Sequence, residues 1–107
     1  MKLHVHWLIK TVGHKPSKES VVLSVEQIIE LVEQMEDHDV IYTYHTEKQL
    51  DRIALYGTNS DDVVVSIQGH GGSFDKIFSI SDIKIVLENF EDIQLKLAEY
   101  GFKSDWE

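Results

Sequence analysis

The sequence predicts an α+β fold: a four- to five-stranded, mostly antiparallel sheet with two principal helices, about 24–37 and 82–100, packed on it. Three observations carry this. Short segments with period-two alternation or β-branched and aromatic runs recur along the chain. Two longer segments carry apolar residues at helical spacing behind clear start signals. The connections between strands are short and rich in Gly, Asn, Asp and Ser, which suits turns between antiparallel neighbours. No repeat or linker divides the 107 residues, so residues 1–107 read as one domain.

Residues 3–12 alternate, with Leu3, Val5, Trp7 and Ile9 on one face and His4, His6, Leu8 and Lys10 on the other, which predicts a strand with the Trp7 face toward the core. Gly13 to Ser20 is a polar loop containing the sole proline, and Val21-Val22-Leu23 a short returning strand. Ser24 is an N-cap, Gln27 completes a capping box, and Leu23 and Ile28 occupy staple positions. Val25, Ile28, Ile29, Val32 and Met35 form the buried stripe of the helix that follows. Val40 to His45 is a strand by composition, with Tyr42 and Tyr44 sharing one face that we expect to enter the core. For residues 46–56 helix and strand compete. The good helix formers Glu47, Lys48, Gln49, Leu50, Arg52, Ala54 and Leu55, with Gly57 as a C′ residue, tilt the expectation to helix.

Thr58 to Asp62 is turn chemistry, and Val63–Gln68 and Phe74–Ile80 are strands joined by the hairpin loop Gly69-His70-Gly71-Gly72-Ser73. Ser81 is the expected cap of the last helix. Its stripe is Ile83, Val86, Leu87, Phe90, Leu97 and Ala98, and Ile85 and Leu95 fall off it, which allows a break near Asn89. Gly101 is the expected stop, with Phe102 folding back toward Leu97.

The charge is uneven. The chain has 19 Asp and Glu against 10 Lys and Arg, a net charge of −9. The first twenty residues carry four lysines against Glu19, so the rest carries 18 acids against 6 bases. That balance argues against direct nucleic-acid binding and against an anionic membrane surface, and it permits a basic protein partner. No apolar run approaches the ~20 residues of a membrane span. The chain opens on a strand pattern rather than a signal peptide. It has no cysteine, so disulfides and thiolate chemistry are excluded. A cytoplasmic location is the expectation.

Three constellations are candidates for chemistry. On a strand, His4 and His6 share a face and could reach one metal ion, but zinc needs a further ligand from His14, His45, His70 or a carboxylate, and two histidines on a solvated strand face are the plainer account of the pair. The loop around His70 could cradle an anion. It has neither a G-x-S-x-G elbow nor a Walker sequence, and no helix follows it, so a plain hairpin turn accounts for its glycines. The first helix carries Glu26, Glu30, Glu33 and Asp37 at spacings of four, three and four, with Glu36 beside them, and no Lys or Arg occurs between Ser20 and Glu47. Like charges so spaced oppose helix formation by about 0.2–0.5 kcal/mol per pair. A solvated face kept charged for solubility is the plain account, and a partner-binding surface is the sharper one. Over about 16 Å its charge density stays below that of a nucleic-acid strand, so DNA mimicry is not indicated. Trp106, beyond the glycine stop, is a further interface candidate.

The functional expectation is a small acidic protein-binding module, an immunity or inhibitor protein acting on a basic target by electrostatic steering and occlusion. No catalytic residue and no cofactor is expected. The alternatives are a metal-binding or enzymatic domain built on His4 and His6, and a structural or homo-oligomeric subunit.

Overall fold

The computed structural model describes residues 2–8, 20–37, 39–46, 49–58, 60–69 and 72–104, with side chains from Val22 onward. The α+β expectation holds. Seven strands form one antiparallel sheet: β1 (Lys2–Leu8), β2 (Ser20–Ser24), β3 (Val40–His45), β4 (Arg52–Gly57), β5 (Asp62–Gly69), β6 (Gly72–Ser79) and the two-residue β7 (Lys103–Ser104). Their order is β2-β1-β3-β4-β5-β6-β7, so only β1 and β2 depart from sequence order. Helix α1 (Val25–Glu33) follows β2, and α2 (Ile83–Glu88) and α3 (Phe90–Leu95) follow a 3-10 turn at Ile80–Asp82.

Local chemistry starts α1 as expected. The Ser24 Oγ accepts from the Gln27 N–H at 3.2 Å, and the Gln27 Oε1 accepts from the Ser24 N–H at 2.9 Å. Val25, Ile28 and Val32 are buried, and α1 packs on α2 and on the 3-10 turn. The sheet supplies the facing layer. Ile41 and Thr43 of β3, Ile53 and Leu55 of β4, and Val63, Val65 and Ile67 of β5 occupy one face by register and are all buried. With Ile83, Val86, Leu87, Phe90, Ile93 and Phe102 they form a single core. The Thr43 hydroxyl, buried here, donates to the Ile53 carbonyl at 2.9 Å.

Three expectations for residues 42–57 are corrected. Residues 52–57 are a strand, not a helix. Ile53 and Leu55 alternate into the core between β3 and β5, and that packing outweighs the helix propensity of their neighbours. Gly57 is therefore no helix terminator. It ends β4 against the turn after α1, where a Cβ would stand 2.2 Å from the Glu36 carbonyl oxygen. Tyr42 and Tyr44 do not enter the core, because Ile41 and Thr43 take that side of β3.

The last helical segment breaks at Asn89, whose Nδ2 donates to the Ile85 carbonyl at 2.7 Å, and its regular part stops at Leu95. Ser81 lies in the 3-10 turn and does not cap α2, whose N-cap position is Asp82. The break rotates Ile93 into the core, while Ala98 is exposed. The C-terminal stop is as expected. Gly101, at φ 85°, donates to the Ala98 carbonyl, and Phe102 donates to the Leu97 carbonyl at 3.0 Å, the paired bonds of a Schellman closure.

Candidate functional site

Burial of Val25, Ile28 and Val32 leaves the opposite side of α1 to Glu26, Glu30 and Glu33, all exposed. Two of the acids are one helical turn apart in each direction from Glu30. None of the three, nor Glu36, has a cation at ion-pair distance among the described residues; the ion pairs Lys84–Glu88 and Lys96–Asp92 lie on α2 and at the C-terminal end of α3. The helix ends sooner than its charge spacing suggests. Gln34 and Met35 close short i→i−3 bonds, so Asp37 lies beyond the helix and is half-buried. The helical row is thus Glu26 to Glu33, about 10 Å at 1.5 Å per residue.

The chain after α1 is locked in place. The Glu36 N–H donates to Asp39 Oδ2 at 2.8 Å, the Asp39 N–H to the Glu36 carbonyl at 3.1 Å, and the Gly57 N–H to the Asp39 carbonyl at 2.9 Å. Asp39 is 4% exposed, and its Oδ1 has no hydrogen-bond partner among the described residues. This lock sets Glu36 and Asp37 opposite the β4–β5 turn. There the Thr58 hydroxyl donates to the Asp62 carbonyl at 2.8 Å, the Ser60 N–H donates back to Thr58 Oγ1 at 3.2 Å, and the Asp61 carbonyl accepts from Ile80 N–H at 2.9 Å. The result is an open depression of about 650 Å³ lined by Glu36, Asp37, Thr58, Ser60 and Asp61. Three carboxylates edge it, so its electrostatics continue those of α1. Asp61, Thr58 and Ser60 carried no spacing signal that would join them to the helix; only the fold does so.

A second depression, about 340 Å³, lies beside α3 and is lined by His45, Glu88, Asn89, Phe90, Glu91, Asp92 and Leu95. His45 meets Phe90 edge to face, with ring centroids 6.0 Å apart. The Tyr100 hydroxyl donates to Asp92 Oδ2 at 2.6 Å. That bond holds the Asp92 carboxyl below its usual range, with Lys96 helping, and raises the Tyr100 hydroxyl above its own.

The sheet face away from the helices carries a different surface. Arg52 lies over the Tyr42 ring, 4.5 Å from its centroid, and its Nε donates to Gln68 Oε1 at 2.7 Å. The Gln68 amide donates to the Tyr56 hydroxyl at 2.9 Å and to Ser66 Oγ at 3.2 Å. Ser66 and Ser73 share a hydroxyl contact at 2.7 Å, and Ser73 donates to Asp75 Oδ1 at 2.9 Å. Burial raises the Tyr56 hydroxyl above its usual range, and the Gln68 bond opposes the shift. The alternation within β3 was the available signal for this face, since it separates Tyr42 and Tyr44 from Ile41 and Thr43.

His4 and His6 sit on β1 in register with Tyr44 and Tyr42, and their side chains lie outside the described residues. His70 and Trp106 also lie outside them. Among the described residues no group of three or more His, Cys, Asp or Glu is placed to hold a metal ion. No helix among them is long and apolar enough to cross a membrane. Comparison with protein-family models, with curated proteins and with solved structures finds no match to this chain.

Proposed function

We propose that the chain is an acidic protein-binding module that meets a basic surface on a partner protein through the outer face of α1 and the depression beside it, in the manner of an immunity or inhibitor protein. The carrying observation is the row Glu26, Glu30 and Glu33. It is exposed, has no cation at ion-pair distance among the described residues, and runs toward a depression edged by Glu36, Asp37 and Asp61. Such a surface steers a cationic partner before contact and then orients it, so the charge acts first on the association rate. At physiological salt the Debye length is about 8 Å, close to the length of the helical row, so the field is felt only near contact. Fixed Lys and Arg on the partner would lie along α1, and one cationic side chain would enter the depression. The absence of cysteine and the lack of a membrane-crossing helix among the described residues are compatible with an encounter in the cytoplasm.

Paired affinity capture tests this. Wild type and Glu26→Gln/Glu30→Gln/Glu33→Gln serve as baits at low and at physiological salt. The proposal predicts a strongly basic protein on wild type, lost from the variant and weakened by salt. Equal recovery of the same partner on both baits would reject this surface.

A further inference from the structure

Among the described residues, only Asp39 has a buried side-chain polar atom without a hydrogen-bond partner. The residue is 4% exposed. Its Oδ2 accepts from the Glu36 N–H at 2.8 Å, and its Oδ1 is the atom left over. A buried acceptor without a donor opposes the state that buries it, because the same atom is hydrated once the chain opens. Asp39 therefore works against the turn that it closes.

The surrounding charge works the same way. Glu33, Glu36, Asp37 and Asp39 gather at the C-terminal end of α1, the negative end of the helix dipole, and the last turn of the helix holds no basic residue. Glu33, Glu36 and Asp39 have no cation at ion-pair distance among the described residues. Asp61 lines the same depression as Glu36 and Asp37. Few bonds hold the turn shut against this. The Glu36 N–H donates to Asp39 Oδ2, the Asp39 N–H to the Glu36 carbonyl at 3.1 Å, and the Gly57 N–H to the Asp39 carbonyl at 2.9 Å. Behind them, the short bonds of Gln34 and Met35 are the last that tie the chain to α1. A segment with few bonds, opposed by its own electrostatics, is one that opens locally.

We infer that the turn at Glu36 and Asp37, closed by Asp39, is a two-state latch, and that a cationic side chain in the depression selects its closed state. The inference rests on the basic-partner proposal above. In the open state the three bonds pass to water, Asp39 is hydrated, and Glu36 and Asp37 part from Asp61. Only the closed state presents Glu36, Asp37 and Asp61 together beside the negative end of α1, so only there does one cation meet all of them. That difference in contacts is what a shift between two states requires. The free chain therefore opens from time to time, and the bound chain stays shut.

The test is amide hydrogen exchange of the full chain by NMR, without and with an oligoarginine peptide whose binding is followed by titration calorimetry. In the free chain the amides of Glu36, Asp39 and Gly57 should exchange together, through one opening populated at about 0.1–10%. Their protection is then about 10–1,000-fold, well below that of the β4–β5 ladder. Saturating peptide should raise it by about tenfold or more and leave the ladder unchanged. Gln34→Lys sets a cation at the exposed C-cap of α1 and should slow the opening about two- to fivefold with no peptide present, an effect lost at ~1 M salt. Exchange of the three amides only at the rate of the ladder, by global unfolding, overturns the latch, and so does a Gln34→Lys chain that opens as wild type does. A peptide that binds and leaves the three amides unchanged overturns it with the basic-partner proposal intact. A peptide that binds wild type no more tightly than Glu26→Gln/Glu30→Gln/Glu33→Gln rejects that proposal, and selection of the latch by a cation falls with it.

Discussion

Gly57→Ala tests how the fold builds the acidic depression. Gly57 ends β4 with its Cα pressed on the turn after α1. An added Cβ would lie 2.2 Å from the Glu36 carbonyl oxygen, 3.1 Å from its carbonyl carbon and 3.2 Å from the Met35 Cβ. The oxygen is about 1 Å short of ordinary contact, and it is backbone, not the tip of a flexible side chain. Two effects oppose one another. Ala restricts the unfolded chain, which favours the variant by about 0.4–1 kcal/mol where the native φ suits it, and Gly57 is not among the positive-φ glycines. Overpacking against backbone costs about 1–3 kcal/mol. The clash wins, for a net loss of roughly 1–2 kcal/mol, or a melting temperature lower by about 5–15 °C. Relief requires the segment Glu36–Asp39 to move, and that segment also holds the Asp39–Gly57 bond. Urea unfolding followed by circular dichroism reads the loss. An alanine variant as stable as wild type, or more so, would refute the reasoning.

Three other outcomes follow from the same structure. Glu30→Gln/Glu33→Gln removes two like-charge contacts on α1, each about 0.2–0.5 kcal/mol. The variant should gain about 0.4–1 kcal/mol in low-salt urea titrations, and the gain should fade at ~1 M salt, where the Debye length is about 3 Å. Phe90→Ala, at a side chain with 0% exposure that meets His45 edge to face, should lose about 3–5 kcal/mol in the same assay. Tyr100→Phe removes the 2.6 Å bond to Asp92. The Asp92 carboxyl is held below 3.8, so its contribution is complete above that pH and disappears as pH falls through its folded value. Tyr100→Phe should raise the Asp92 midpoint toward 3.8 in a carboxyl-carbon NMR titration, and the stability difference from wild type should close at the acid end.

Elements governed by local chemistry were legible in the sequence. The Ser24–Gln27 capping box, the α1 stripe, the hairpin around residues 69–72 and the Gly101–Phe102 closure all depend on residues a few positions apart, and the structure has them. Strand β4 was not legible, because its helix-forming residues are overruled by neighbours on β3 and β5 that sequence spacing cannot show. The same holds for the open face of the sheet. Tyr42, Arg52, Tyr56, Gln68 and Asp75 come from four strands and meet only through register. For the acidic site, the helical row could be read from spacing, but its length could not. Asp37 left the row because the turn locked by Asp39 and Gly57 ends the helix early, and Asp61 joined it across the β4–β5 turn.

Hydrogen exchange on the complex with a captured basic partner addresses the central claim most directly, because it locates the contact without altering the chain. The account predicts slowed exchange in α1 and in the segments 34–39 and 58–62, with β4 to β6 no more protected than in the free protein at the same concentration. Slowed exchange confined to the sheet strands, with α1 exchanging as before, would contradict it.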